Sequence, residues 1–174
     1  MKETESFATE RQESEPVLHM VCGKIASGKS TLANWLASEN DTVIFSEDDW
    51  MTHLYPNEIC SLADYVRCSG RVKHALSGHV QTLLAMGISV VLDFPFNTIK
   101  NREWGRTLFS SANAQHQLHY LDVSDEACKA RLNARNASGE HPFQTTESQF
   151  DEITHFFVPP TQSEAFNVVV HKSD

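Results

Sequence analysis

The chain is short of positive charge. Fourteen Lys and Arg stand against 23 Asp and Glu, a net charge of −9 over 174 residues. Gripping nucleic acid through a broad basic face requires the opposite balance, so nucleic acid fits poorly as a partner. Long apolar runs are missing as well, and none approaches the roughly 20 residues of a membrane-spanning helix. Met1 to Glu15 is polar and Glu-rich, without the basic start and apolar middle of a signal peptide. It reads as a flexible or loosely helical leader and points to the cytoplasm. Cysteine is scarce: Cys22, Cys60, Cys68 and Cys128 form no C-x-x-C pair, which argues against a zinc ribbon or a thioredoxin-type site and leaves free thiols as the expectation. His116 and His119 can meet on one strand, but no third metal ligand is in view. No repeat, low-complexity tract or linker divides the remainder, so residues 16–174 read as a single domain with room for a full core.

What the chain does have is Gly23-Lys24-Ile25-Ala26-Ser27-Gly28-Lys29-Ser30, which fits G-x-x-x-x-G-K-[ST], the phosphate-binding P-loop. Its context agrees. The apolar run Pro16 to Cys22 precedes it as a buried strand, and a helical pattern from Ser30 to Ser38 follows with Leu32, Trp35 and Leu36 on one face. Gly23 and Gly28 let the backbone turn and approach a phosphate, and successive N–H groups with the helix N-terminus face the anion. Gly23, Ala26, Ser27, Gly28, Lys29, Ser30 and Thr31 are the expected nucleotide contacts, for ATP or GTP. Lys29 reaches the β- and γ-phosphates, and Ser30 holds Mg²⁺.

The rest alternates strand and helix, as a parallel α/β sheet requires. Thr42 to Ser46 reads as a strand, Met51 to Glu58 as a loop around Pro56, and Ile59 to Met86 as two helices broken near Ser69-Gly70 and closed by Gly87. Ile88 to Asp93 is a nearly all-apolar strand, Thr98 to Ala112 a helix, and His116 to Val123 a strand. Ser124 caps a further helix. Asn136 to Gln144 reads as a mobile segment, Thr145 to Phe157 as a helix stopped by Pro159-Pro160, and Phe166 to His171 as the closing strand.

Ligands in such sheets bind outside the carboxyl ends of the strands, and acids stand there. Asp93 ends its strand as a Walker B acid does, and is expected to hold Mg²⁺ through water. The next residue is Phe94, where many P-loop ATPases carry a water-activating Glu. That favours phosphoryl transfer to an acceptor over ATP-driven motor work. Asp48 is the candidate general base for an acceptor hydroxyl, Asp49 a companion or helix cap, and Glu47 is expected to face solvent. Arg131 and Arg135 share a helix face and form a candidate lid over the nucleotide. Asp49, Trp50, Arg71, Phe96 and Arg102 are candidates for contact with the acceptor, and Tyr55, Tyr65 and Phe94 are further aromatics that could line its pocket.

Together, Gly23 to Thr31, Phe45 to Trp50, Val90 to Asp93, Arg131 to Asn136 and Phe156 to Thr161 resemble the small P-loop kinases related to zeta toxin, chloramphenicol phosphotransferase, gluconate kinase and polynucleotide kinase. The likeness is greatest to their small bacterial relatives, the AAA-type ATP-binding proteins. The resemblance spans about Val17 to His171. It implies a five-stranded parallel sheet of order 2-3-1-4-5 with a helical lid, Asp48 as general base, and Arg131 with Arg135 as the lid pair. Polynucleotide kinase follows its acid pair with a basic residue that binds substrate phosphate, whereas Met51, Thr52 and His53 follow here. The expectation is a Mg²⁺-dependent, ATP-using kinase of a small-molecule hydroxyl, acting as a monomer or homodimer. The alternatives are a nucleotide-dependent switch or weak NTPase with a protein partner, and behind it a nucleic-acid end kinase.

Overall fold

The computed structural model describes residues 15–39, 41–138 and 145–173. Among them, five strands form one parallel sheet: β1 (Val17–Cys22), β2 (Thr42–Ser46), β3 (Ser89–Pro95), β4 (Gln115–Val123) and β5 (Val168–Ser173). Their order is β2-β3-β1-β4-β5, as the resemblance implied. Six helices connect them: α1 (Lys29–Leu36), α2 (Glu47–Leu54), α3 (Leu62–Ala85), α4 (Ile99–Ala112), α5 (Asp125–Ser138) and α6 (Glu147–Thr154), with a 3₁₀ turn at Gln162–Glu164. The expected leader lies almost wholly outside the described residues, and so does most of the expected mobile segment. Its first residues, Asn136 to Ser138, continue α5.

The sheet is apolar on both faces because helices cover both, the usual condition of parallel strands. Leu18, Met20, Val90 and Leu92 pack with Leu76, Val80 and Leu84 of α3 and Leu108 of α4. On the other face Val21 and Val91 meet Ala33 and Leu36 of α1, while Leu121 and Val123 meet Cys128 and Leu132 of α5 and Phe150 of α6. Trp35, expected on the buried stripe of α1, is instead 63% exposed, and Ala33 takes the inward position.

Two further expectations are corrected. The stretch read as a loop from Met51 begins as helix α2. Ser46 caps it by accepting the Asp49 N–H at 3.3 Å, and Met51 is buried in the core. Pro56 lies beyond the last helical residue, so it stops the helix without opposing it. The two helices expected on either side of Gly70 are one, α3. Ser61 caps it at 3.1 Å, and Cys68, Val72, Leu76, Val80 and Leu84 form an unbroken buried stripe. Gly70 is exposed, and the roughly 1 kcal/mol that a helical glycine costs is small beside burial of that stripe at about 1.5–3 kcal/mol per large side chain. Gly87 ends α3 at φ +80°, as its sequence position required.

Candidate active site

Because every strand is parallel, all carboxyl ends open on one edge of the sheet. The central strand β1 delivers the P-loop there. Ala26 (φ 59°) and Gly28 (φ 102°) are both left-handed, which curls the loop and turns its N–H groups inward. At Gly23 the chain is too close to its neighbours for a side chain: a Cβ would lie 2.6 Å from Ser27 Oγ and 3.1 Å from Leu121 Cβ. Lys29 lies across the loop and donates to the carbonyls of Gly23 at 2.8 Å and Lys24 at 2.7 Å. Burial pulls its pKa down, and the Asp93 carboxylate opposes that shift. Lys24 pairs with Asp125 and so fastens the loop to the start of α5.

The acids converge on the same edge. Asp93, near the carboxyl end of β3, is paired with Ser46, the last residue of β2. Burial raises the Asp93 pKa, while a hydrogen bond from the Ser30 hydroxyl lowers it and the nearby Asp48 carboxylate raises it further. Asp48 and Asp49 stand in the first turn of α2, both exposed. Ser30, Asp48, Asp49 and Asp93 line one cleft of about 310 Å³, with Asn34 and Thr52 at its sides.

Glu47 is the acid that sequence reasoning misplaced. It is 2% exposed, and its two carboxylate oxygens accept from Tyr65 Oη and Ser69 Oγ, each at 2.5 Å. Burial raises its pKa and the two hydroxyls work against that. Tyr65 is thereby spent on Glu47 rather than on a pocket wall.

From α5, half-buried Arg131 points at the P-loop and donates to the Ser27 carbonyl at 3.4 Å. Arg135 follows one turn on, half-buried, with Nε shielded from solvent. The other candidates divide. Arg102 is not in the cleft: its guanidinium is fully buried, donates to Glu164 at 2.6 and 2.9 Å, and bonds the Phe96 and Val158 carbonyls at 3.0 and 2.9 Å. Phe96 is also fully buried, stacked on Trp104 with ring centroids 5.6 Å apart. Phe96 follows directly on β3, which runs to Pro95, and Arg102 lies on the buried face of α4. Trp50 lines a separate, apolar groove with Phe45 and Leu83, and Arg71 is exposed on α3. A residue that no motif flagged sits against the loop: Asn97, whose carboxamide makes two bonds of 2.9 Å to the backbone of Gly23. Only its place just past the Asp93 strand could have drawn attention to it.

Residues 18–160 match the family model of the AAA domain. The chain belongs to the AAA domain family. Among solved structures, this AAA-domain chain is similar to a candidate kinase from Chloroflexus aurantiacus, at 19% identity and TM-score 0.71, covering 91% of this chain and 85% of that one. It is also similar to Chaetomium thermophilum Kti12 in complex with ADP-AlF3, at 20% identity and TM-score 0.63, covering 90% and 89%. Mycobacterium tuberculosis APS kinase in complex with AMPPNP and APS is a third, at 20% identity and TM-score 0.51, covering 82% and 97%. No curated protein matches the chain. At these identities the likeness is one of fold: a parallel sheet with flanking helices and a P-loop. Among the described residues, no helix is long and apolar enough to cross a membrane.

Proposed function

We propose that this AAA-domain protein transfers the γ-phosphoryl group of ATP to a hydroxyl of a small molecule. The observation that carries the reading is the shared cleft: Asp48 opens onto the same space as Ser30 at the reactive end of the P-loop and Asp93 near the carboxyl end of β3. The loop amides and Lys29 bind the phosphates. Asp48 takes the acceptor proton as the acceptor oxygen attacks phosphorus, the bond to the β–γ bridging oxygen breaks, and ADP leaves. Arg131 and Arg135 meet the charge that develops on the transferring group.

Ser30 and Asp93 present a hydroxyl and a carboxylate, the hard oxygen donors that suit Mg²⁺. Among the described residues no three His, Cys, Asp or Glu side chains form an all-protein cage. Ser30 would ligate the ion directly and Asp93 through water. When bound, Mg²⁺ offsets the charge of the β- and γ-oxygens. With three carboxylates lining the cleft, a neutral or cationic acceptor is favoured over one that carries phosphate. Phe94, the residue after Asp93, is 1% exposed in the core, so no water-activating side chain follows that acid.

The test is γ-phosphate transfer from Mg²⁺-ATP across sugars, nucleosides, aminoglycosides, chloramphenicol-like alcohols and oligonucleotides, with a control lacking acceptor. Transfer that requires an acceptor and Asp48 supports the proposal. Slow hydrolysis indifferent to every acceptor overturns it in favour of a nucleotide-dependent switch.

A further inference from the structure

We infer that Asn97 is a positioning residue for nucleotide binding: its carboxamide clamps the N–H and the carbonyl of Gly23 and so holds the first turn of the loop in the phosphate-receptive shape. The inference rests on the reading of this loop as an ATP site.

The geometry is specific. Asn97 Oδ1 accepts the Gly23 N–H at 2.9 Å, and Asn97 Nδ2 donates to the Gly23 carbonyl at 2.9 Å. That carbonyl also accepts from Lys29 Nζ at 2.8 Å. A carbonyl oxygen offers two lone pairs, and both are in use here. The Lys29 ammonium has three donors and spends two of them on this carbonyl and that of Lys24, which leaves one for a phosphate. With Asn97 and Lys29 on its two lone pairs, the Gly23 carbonyl is fixed in direction. Asn97 therefore keeps the first turn of the loop from relaxing as Lys29 turns its remaining donor to the nucleotide.

Asn97 is itself held from behind. The Phe96 N–H bonds the Val21 carbonyl of β1 at 3.0 Å, and the Asn97 carbonyl accepts the Val158 N–H at 2.9 Å. Arg102 bridges the Phe96 and Val158 carbonyls while paired with Glu164. The carboxamide thus projects from a backbone tied to β1, to α4 and to the segment after α6. Asn supplies one donor and one acceptor to the two peptide units that flank the Gly23 Cα, a pairing that no other side chain of its size and shape can make.

The experiment measures the Mg²⁺-ATP Kd of the wild type, Asn97→Ala and Asn97→Asp by titration calorimetry, with a thermal melt of each protein without nucleotide. Asp has the shape of Asn and can still accept the Gly23 N–H, but it has no donor for the carbonyl. The expected result is a Kd raised about 10-fold in Asn97→Ala and about 100-fold in Asn97→Asp, whose charge also holds Lys29 back and repels phosphate. If Asn97→Ala fails to fold, Asn97→Asp decides. Wild-type affinity in Asn97→Asp overturns the inference, because shape alone then suffices. A wild type that binds no Mg²⁺-ATP overturns the nucleotide reading first and this inference with it.

Discussion

Glu47 and Asp48 are consecutive in the chain and opposite in environment. Glu47 is enclosed between Tyr65 and Ser69, while Asp48 is exposed on the cleft that holds Ser30 and Asp93. The buried acid ties the first turn of α2 to α3 and so fixes the direction in which the exposed one faces. Glu47→Ala leaves two hydroxyls without their acceptor, and the expected cost is about 2–4 kcal/mol in urea unfolding. The raised pKa of Glu47 means that the folded state binds its proton more tightly than the unfolded state. Its contribution to stability is complete below the usual carboxylate range and declines as pH rises through the folded value. Glu47→Gln, which keeps the shape and cannot ionise, should therefore gain on the wild type as pH rises from 5 to 8.

Asp48 is expected to act on chemistry alone. Asp48→Ala should leave the Mg²⁺-ATP Kd within a few-fold of wild type and slow transfer by about 100-fold or more. Normal transfer in this variant removes the base assignment, and Asp49→Ala is then the variant to assay.

Arg102 supports structure, so its loss should appear in stability. Arg102→Ala removes the partner of Glu164 and the donor to two carbonyls, with an expected cost of about 3–5 kcal/mol by denaturant midpoint. The hydrogen bond from Arg102 holds the Glu164 pKa below its ordinary value. That contribution is present above the usual carboxylate range and is lost as pH falls through the folded value. A substrate-binding arginine would instead raise the acceptor KM at unchanged stability.

Three histidines cross the sheet in a row. His19 Nδ1 meets His119 Nε2 at 3.1 Å, and His119 Nδ1 meets His171 Nε2 at 3.0 Å. Burial first, and then the two neighbouring rings, hold the His119 pKa at about 4. The folded state therefore keeps this imidazole neutral. The stability that follows is intact above roughly 6.5, the unfolded value, and drains away as pH falls towards about 4. His119→Phe should lose less stability than the wild type between pH 7 and pH 5 in paired urea melts. An equal loss in both proteins would clear His119 of the effect.

The parts of the site that lie together in sequence were legible from it. The P-loop is eight consecutive residues, Asp48 follows closely on β2, and Asp93 stands near the carboxyl end of the apolar strand β3. What closes through space was not. Glu47 is buried by partners 18 and 22 residues away, Gly23 is held by a side chain 74 residues on, and Arg102 finds Glu164 at a separation of 62. A sequence shows that an arginine follows a strand; whether it turns to solvent or inward depends on an acid that the fold alone brings to it. The unbroken α3 was missed for a related reason: local propensity at Gly70 counted for more in the reading than a buried stripe that runs through it.

The strand order places β1 at the centre of the sheet, hydrogen-bonded to β3 on one side and β4 on the other. A central strand opens only when the whole structure does. Amide protons of Val17–Cys22 should thus exchange with solvent only at the rate of global unfolding. The protein thereby roots its P-loop in a strand that local opening does not reach.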